Sequence, residues 1–422
     1  MQRVKILGGD LTGRQWRALA AIARRLTPDS PLHLTTRQDI ELHDLDDRQV
    51  PQAQAMLDEA GMTGLGACGD TLRNVTVCPR AGLKGGTVDL ANLAWHVRRL
   101  MEREDFIYNL PRKFKISFSA CEDACGRPWL NDLGFVARRG QNGLSGPNGW
   151  EFLVIGAGSL GPRPASGVIL MEHLPSADVP AFVLAAMRVF HEHGNRSDRG
   201  RARLRHVRER LGDAEFLRLL QLTFEKARAE LGPAQVDLPA APDDLAQHRT
   251  LLFADGNLSS EAAEVIGDLA DRAGVRVRIG MDHRVELFAQ AQVPLDQWLA
   301  ASPALSEATR PQATILVCPG KRWCNRAITR TDNMSGLLRR ELGDKLPPQA
   351  TVCISGCPNG CAFSQAAPIG LSGCLVTTSE GKAEAFDLYV GGQQGRGDKL
   401  AELRRRKLTA DEVVKAIGEL LK

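Results

Sequence analysis

The chain has 422 residues, of which 43% are hydrophobic and 25% are charged, a composition typical of a globular protein with two or three packed units. The 54 Lys and Arg residues oppose 50 Asp and Glu residues, and the net charge of +4 is too small to indicate nucleic-acid binding. No run of about 18 apolar residues occurs, so we expect no transmembrane helix and no membrane partner. The first residues lack the apolar core of a signal peptide, so we expect a cytoplasmic protein with reduced cysteines, for which metal binding is more natural than disulfide formation.

The predicted elements occur twice in the same order along the chain. In the first half, strand-like and cysteine-containing segments lie at 33–43, 73–82, 113–137 and 151–161. In the second half, comparable segments lie at 277–289, 314–324, 351–373 and 386–395. Each series contains a strand, a cysteine turn, a strand, a C-x3-C segment, a strand and a Gly-rich turn. We therefore predict a duplicated fold with a pseudo-two-fold axis, since a solenoid would repeat every ~20–50 residues.

Helices are predicted between the strands. Apolar residues recur at helical spacing in 11–26, 260–274 and a basic block at 198–231. The Pro-containing stretch 232–244 that follows this block is predicted to be a linker. Because helices and strands are mixed in both halves, the sequence predicts the α+β class.

Four cysteines of the second half have a spacing that indicates a metal centre. Cys318 and Cys324 are separated by five residues, and Cys357 and Cys361 by three, in CISGCPNGCAFS. Gly, Pro and Asn allow tight turns that leave backbone N–H groups free to bond sulfur. Four thiolates suit zinc or an iron–sulfur cluster, but structural zinc more often uses two-residue gaps. Cys353 and Cys374, which lie in or after strands, are predicted to be packed thiols.

This pattern of C-x5-C followed by G-C-P-N-G-C resembles the signature of the sirohaem-containing sulfite and nitrite reductases. The resemblance covers nearly the whole chain and implies a duplicated α+β fold with ferredoxin-like half-domains. It also implies that Cys318, Cys324, Cys357 and Cys361 bind a [4Fe–4S] cluster, and that Cys361 bridges the cluster to the iron of sirohaem.

The resemblance further implies which residues bind the substrate anion. LTTRQ resembles the first arginine motif of the family, RNVTVCP the second and PRKFK the lysine motif, so the candidates are Arg37, Arg73, Lys113 and Lys115. Strand alternation places Lys113 and Lys115 on one face, and fixed or proton-donating cations suit an anion whose oxygens leave as water. The second half has Asp282 in place of Arg37, so a single active site is expected.

Sirohaem carries many carboxylates, and the stretch GNRSDRGRARLR resembles the segment of the family that contacts it. The implied contacts are Asn195, Arg196, Arg199, Arg201, Arg203 and Arg205, with Gln38 and Asn359 as weaker choices inside matched motifs. A solvated basic helix face is the alternative, and a nucleic-acid patch is disfavoured because no aromatic residues are interleaved. The segments IGAGSLG and VGGQQG lack the G-x-G-x-x-G form of dinucleotide loops and are predicted to be turns near the cofactor.

The first half contains an incomplete copy of the cysteine set. Cys78 corresponds to Cys318, and Cys121 and Cys125 correspond to Cys357 and Cys361, but Lys84 stands in place of the fourth cysteine. We interpret this set as a vestige of duplication, with a second metal centre as the alternative.

Sulfite reduction is the favoured function, because nitrite reductases of this family usually have Asn at the position of Lys115 and Ser at that of Gly360. Nitrite reduction and a precorrin-3B synthase-like monooxygenase reaction remain alternatives. A sirohaem carrier or electron-transfer subunit is less favoured, because it would not need the basic residues. No flavin or NADPH segment is evident, so electrons are expected from a ferredoxin or a flavoprotein reductase.

Five units are predicted along the chain. They are a ferredoxin-like half-domain at 1–70, a first sirohaem- and substrate-binding repeat at 71–200, a helical linker at 201–245, a degenerate second ferredoxin-like half-domain at 246–305, and a [4Fe–4S]- and sirohaem-binding repeat at 306–422.

Overall fold

The computed structural model describes residues 1–85, 87–140, 149–241, 245–379, 381–394 and 399–421. The N-terminal part contains β1 (Gln2–Val4), α1 (Gly13–Leu26), β2 (Leu32–Leu34), β3 (Ile40–Leu42) and α2 (Gln49–Glu59). Thr12 caps the N-terminus of α1. Its side chain accepts a hydrogen bond from the backbone of Gln15, and the Gln15 side chain accepts one from the backbone of Thr12. The single strand predicted at 33–43 is two strands, because Gln38 has φ 60° in the turn between them.

The first five-stranded sheet follows. Its strands are β4 (Thr76–Val77), β5 (Ile116–Ser119), β6 (Leu133–Arg139), β7 (Trp150–Gly156) and β8 (Val168–Pro175). Helix α3 (Ala91–Met101) lies between β4 and β5 along the chain, and α4 (Val179–His193) follows β8. The strand order is β4-β5-β6-β7-β8; the first two pairings are parallel and the last two antiparallel. Two further helices, α5 (Leu204–Leu211) and α6 (Asp213–Leu231), share the hydrophobic core of this sheet. The helical block predicted at 198–231 is broken at Gly212, which has φ 81°, and it begins with a 3-10 turn at Arg199–Arg201.

The second half opens with β9 (Gln247–Leu252), β10 (Asn257–Leu258), α7 (Ser260–Ala270), β11 (Val275–Ile279), β12 (Arg284–Ala289) and α8 (Leu295–Ala300). Strands β9, β12 and β11 have the same order as β1, β3 and β2, and β10 extends the N-terminal sheet by pairing with β2. The second ferredoxin-like half-domain, which was predicted to be degenerate, is not smaller than the first. Its three strands have five or six residues, and those of the first copy have three. Both copies share one hydrophobic core.

Glycine allows the two copies to approach closely where α1 packs against α7. A Cβ atom on Gly267 would lie 3.0 Å from the carbonyl oxygen of Gly13 and 3.1 Å from the Cβ of Trp16. A larger residue at this position would therefore force the two helices apart.

The last part contains β13 (Thr314–Val317), α9 (Gly320–Trp323), α10 (Thr331–Leu342), β14 (Thr351–Ser355), β15 (Ile369–Thr378), β16 (Gly381–Val390), β17 (Glu402–Leu408) and α11 (Ala410–Leu420). The strand order β13-β14-β15-β16-β17, with two parallel and two antiparallel pairings, repeats that of the first five-stranded sheet.

The duplication extends to individual residues. Gln38 and His283, at corresponding positions, have φ 60° and 62°. Arg127 and Phe363 correspond in the same way, with φ 54° and 61°, and the Arg127 guanidinium carbon lies 4.2 Å from the Phe363 ring centroid. The structure is therefore a duplicated α+β fold, as the sequence predicts, and equivalent loops of the two halves meet in it. The unit boundaries stay predictions.

Within the ranges described, no helix is long and apolar enough to cross a membrane.

Candidate active site

The four cysteines of the second half lie on two loops at one edge of a sheet. Cys318 follows β13 and Cys324 follows α9, whereas Cys357 and Cys361 lie in the loop after β14. Strands β13 and β14 are parallel neighbours, so their carboxyl ends bring the two loops together. The backbone N–H of Gly356 donates to Cys318 Sγ at 3.2 Å, and the backbone and side chain of Asn359 both donate to Cys357.

The surroundings of two of these thiols, Cys318 and Cys357, favour the protonated form. Burial, together with the neighbouring thiols of Cys361 and Cys357, raises the pKa of Cys318 to about 12. Burial also raises the pKa of Cys357, although the hydrogen bonds from Asn359 oppose the shift. Such thiols release their protons when a metal centre binds them.

Lys113 and Lys115 flank Phe114 immediately before β5. Phe114 is fully buried and its ring lies 5.5 Å from that of Phe190, so the two ammonium groups leave the strand on the other side, as strand alternation predicts. Burial lowers the pKa of Lys113 to about 8. Burial and the charge of Lys113 lower the pKa of Lys115 well below its ordinary value. The two ammonium groups therefore lie on the same side of the chain, in a buried space that is called the recess below.

This recess faces the cysteine loop of the other half. The charge of Cys361 acts on the ammonium groups of both Lys113 and Lys115 and favours their protonated forms. Thr36, in the turn between β2 and β3, donates from Oγ1 to the carbonyl oxygen of Cys361 at 3.0 Å. Residues of both halves therefore line one site.

Arg37 enters the recess from the turn that carries Thr36. Its Nη2 donates to the Asn74 carbonyl at 2.6 Å and its Nη1 to Asn131 Oδ1 at 3.2 Å. Burial lowers its pKa to about 10, a shift that Asp39 opposes. Its Nε is buried and has no hydrogen-bond partner in the described part of the chain. A buried donor without a partner is well placed to meet a ligand.

Arg203 is fixed beside the lysines by a buried carboxylate. Its Nε and Nη2 donate to the two carboxylate oxygens of Asp132 at 3.2 and 2.6 Å. Asp132 is fully buried, and its Oδ2 also accepts the backbone N–H of Lys115 at 2.8 Å. The charge of Arg203 lowers the pKa of both Lys113 and Lys115. Asp132 therefore positions Arg203 and the strand end that carries Lys115.

Arg73 belongs to the same cationic group. It donates to the carbonyl oxygens of Ala67 and Gly69, and its buried Nε has no partner among the residues described. Burial lowers the pKa of Arg73, and its charge in turn lowers the pKa of Arg37 and Lys113. The structure thus brings together Arg37, Arg73, Lys113, Lys115 and Arg203.

The other residues of the 194–205 stretch do not join this group. Arg199 pairs with Asp70, Arg196 donates to the Asn109 carbonyl at 3.0 Å, and Arg205 donates to the Arg163 carbonyl at 2.5 Å. A surface cavity of about 400 Å³ contains the remaining two, Asn195 and Arg201, together with Arg163, His206 and Arg210. Cofactor contact by these residues stays a prediction.

The two weaker candidates for contact with the cofactor, Asn359 and Gln38, lie in different surroundings. Asn359 lies within the cysteine loop and bonds to Cys357. Gln38 is fully buried; its Nε2 donates to the carbonyls of Gly8, Val77 and Ile279, and its Oε1 accepts the backbone N–H of Val77. All polar atoms of Gln38 are thus occupied by backbone, and the side chain braces the turn that carries Arg37.

Comparisons with known proteins agree with this arrangement. The nitrite and sulphite reductase 4Fe-4S domain model matches residues 68–228 and 312–422, and the nitrite/sulfite reductase ferredoxin-like half domain model matches residues 1–60. The chain belongs to the nitrite and sulfite reductase family.

Two relatives illustrate the range of this family. An assimilatory ferredoxin-dependent nitrite reductase of Haloferax mediterranei is 30% identical over 100% of this chain and 78% of its own. A ferredoxin sulfite reductase of Mycobacterium tuberculosis is 28% identical over 98% of this chain and 77% of its own. The solved structure of the Mycobacterium tuberculosis NirA protein matches with a TM-score of 0.82 and 25% identity, covering 98% of this chain and 79% of that one.

Family membership makes this chain an oxidoreductase whose cofactors are sirohaem and a [4Fe–4S] cluster. The residues present fit both groups. Four cysteines on two adjoining loops, with backbone N–H groups at sulfur, suit a cluster. The unpartnered buried donors of Arg37 and Arg73 suit an anionic ligand.

Several residues of the site were not found from the sequence. Asp132, Asn131, Asn74 and Thr36 act by positioning other groups, and each has the appearance of an ordinary loop or turn residue. The motif GRPWLND, shortly after the C-x3-C segment, offered one signal, since polar residues that close a loop beside a strand often hold its neighbours.

Proposed function

We propose that the protein catalyses the six-electron reduction of sulfite to sulfide. The observation that supports this most strongly is the pair Lys113 and Lys115 beside Arg37 and Arg203, in a recess that faces Cys361. Two adjacent lysines suit an anion that can carry two negative charges better than one that carries a single charge.

The residues of the recess would bind the anion and deliver protons. Arg37 offers its unpartnered Nε to the anion, and Arg203, whose Nε and Nη2 are held by Asp132, adds its positive charge. The negative charge of the anion raises the pKa of Lys113 and Lys115, so it favours the protonated forms of both lysines. Each protonated lysine then holds a proton against an oxygen atom that leaves as water. When bound, the cluster and sirohaem supply the electrons and the iron that takes the anion.

Nitrite is the second candidate substrate. It needs the same number of electrons and the same removal of oxygen as water, and the Haloferax mediterranei relative is named a nitrite reductase. The recess would accept nitrite, but its single charge leaves one of the two lysines less strongly engaged.

The decisive experiment compares sulfite and nitrite reduction by the purified holoenzyme with a reduced viologen dye. We expect a higher kcat/KM for sulfite. The substitution Lys115→Asn should lower kcat/KM for sulfite about tenfold or more, because a hydrogen bond to a charged group contributes about 1.5–3 kcal/mol, and should lower that for nitrite less. Lys382→Asn, at an exposed position on β16, is the matched control.

Three results would contradict the proposal. A preference of the unmodified enzyme for nitrite would change the substrate, and equal losses for both anions in the Lys115→Asn variant would remove the role given to the second lysine. Sirohaem present without reduction of either anion would favour a precorrin-3B synthase-like monooxygenase.

We further propose that a ferredoxin supplies the electrons. The two relatives described above are named ferredoxin-dependent enzymes. Lys321, Arg322 and Arg326 are exposed around Cys324, and the Arg322 guanidinium carbon lies 4.3 Å from the Trp323 ring centroid. Cations beside a cluster ligand would attract an acidic electron carrier and shorten the path of the electrons.

Charge reversal at this patch tests the donor. Arg322→Glu should raise the KM for reduced ferredoxin several-fold and weaken its dependence on salt, while viologen-driven turnover stays the same. Arg404→Glu, exposed on β17, is the control. An unchanged KM for ferredoxin in the Arg322→Glu variant would place the donor elsewhere.

A further inference from the structure

Three cysteines of the first half form a second thiol cluster, at the position equivalent to the four cysteines of the second half. Cys78 follows β4, and Cys121 and Cys125 lie in the loop after β5. Cys78 Sγ and Cys125 Sγ are 3.1 Å apart, and Cys121 is hydrogen-bonded to Cys125. The fourth corner is Lys84, whose side chain is exposed.

The geometry does not suit a metal. Two thiolates on one tetrahedral zinc ion, each about 2.3 Å from the metal, would lie nearly 3.8 Å apart, and a cluster would separate them further. The contact between Cys78 and Cys125 instead lies only about 1 Å beyond a covalent S–S bond of about 2.05 Å.

We propose that Cys78 and Cys125 form a reversible disulfide by exchange with a low-molecular-weight disulfide. The Cys125 sulfur attacks the small disulfide, which gives a mixed disulfide and one released thiol. Cys78 then attacks the Cys125 sulfur and releases the second thiol. Two electrons pass from the cysteine pair to the small disulfide, and the two cysteine protons go to the two released thiols.

Access and ionisation support this order of events. Cys78 is fully buried, whereas Cys121 and Cys125 are half-buried, so the exchange begins on the loop. The hydrogen bond from Cys125 lowers the pKa of Cys78, and backbone N–H groups of Arg80 and Ala120 lower it further, against burial. Once Cys125 is held in the mixed disulfide, the backbone N–H groups of Arg80 and Ala120 still favour the Cys78 thiolate that attacks in the second step.

The first step should be slow. The hydrogen bond with Cys121 lowers the pKa of Cys125, but the bond that Cys125 shares with Cys78, together with burial, raises it to about 12 overall. Little Cys125 thiolate is present near neutral pH, and formation of the disulfide is expected over hours.

The test treats the complete holoenzyme with oxidised glutathione, alkylates the remaining thiols and maps the peptides by mass spectrometry. We expect a cross-linked pair of peptides containing Cys78 and Cys125, the loss of two alkylatable thiols per chain, and the recovery of both with dithiothreitol. Cys78→Ser should abolish the cross-link, and Cys68→Ser, which removes an exposed thiol outside the cluster, should leave it intact.

Other outcomes would overturn the proposal. Glutathione adducts without an internal cross-link would show that the three thiols react singly, and a disulfide joining another pair would contradict the assigned partners. Iron beyond that of the cluster and sirohaem, lost in the Cys78→Ser variant, would show a second metal centre in its place.

Discussion

At the scale of single residues, the chemistry of the site comes from charges placed close together in a buried recess. The charges of Lys113 and Arg37 lower the pKa of Lys115, and the charge of Arg203 lowers the pKa of both lysines. Both lysines therefore lose their protons more readily than a lysine in water. An entering anion raises the pKa of the two lysines again, since it favours the charged form of every neighbouring cation.

A pH dependence of anion affinity follows from the pKa of Lys113. Because that pKa is lowered to about 8, Lys113 keeps its proton below about pH 8 and loses it above. The affinity for nitrite, measured as a dissociation constant from the change in the sirohaem spectrum, should therefore weaken more steeply above about pH 8, by up to tenfold per pH unit.

The variant Lys113→Met provides the comparison for this profile. It should bind nitrite more weakly at neutral pH, and the break near pH 8 should disappear because the titrating group is gone. A break at the same pH in the variant would assign the titration to another group.

Single positions also show where sequence reasoning stops. The lysine motif correctly indicates two ammonium groups on one face, since alternation depends only on neighbouring residues. Asp132, which fixes Arg203 and the Lys115 backbone, lies 17 residues from Lys115 and 71 from Arg203. Gln38, which was predicted to contact the cofactor, bonds to three backbone carbonyls, one of them 241 residues away. Such long-range partners have no local signature.

At the scale of elements, the order of the segments can be predicted from the sequence, but the shapes of the turns cannot. Two series of strands and cysteine turns predict the duplicated sheets, because hydrophobic periodicity and cysteine spacing are local. The helical block at 198–231 is less regular than predicted. Gly212 breaks it, and Arg199 and Arg201 lie in a 3-10 turn that precedes the first helix.

The cysteine loops show why the turns matter. Gly360 has φ 64°, and a Cβ atom there would lie 2.1 Å from Gln365 Oε1. The equivalent residue of the first half, Ala124, has φ 53°. In both loops a serine of the preceding strand accepts a backbone N–H, Ser355 from Ala362 at 3.1 Å and Ser119 from Gly126 at 3.0 Å. One backbone shape thus presents Cys357 and Cys361, the proposed cluster ligands, in one half and Cys121 and Cys125 in the other.

At the scale of the whole molecule, the two halves divide the work of one site. In our proposal the first half supplies the cations that meet the anion, and the second half supplies the cysteines expected to hold the cluster. They meet where Thr36 bonds to the Cys361 carbonyl and where Arg127 lies over Phe363. The sequence indicates this division, because Asp282 replaces Arg37 and Lys84 replaces a cysteine. The contact that joins the halves depends on packing and was visible only in the structure.

The most direct test of this division compares two equivalent cysteines, Cys361 and Cys125. Iron content and the visible and electron paramagnetic resonance spectra of anaerobically purified Cys361→Ser and Cys125→Ser should be measured beside those of the unmodified protein. We predict that Cys361→Ser loses the coupled cluster and sirohaem centre, and that Cys125→Ser keeps it with the full iron content. An intact coupled centre in Cys361→Ser, or its loss in Cys125→Ser, would contradict the assignment of the metal side to the second half.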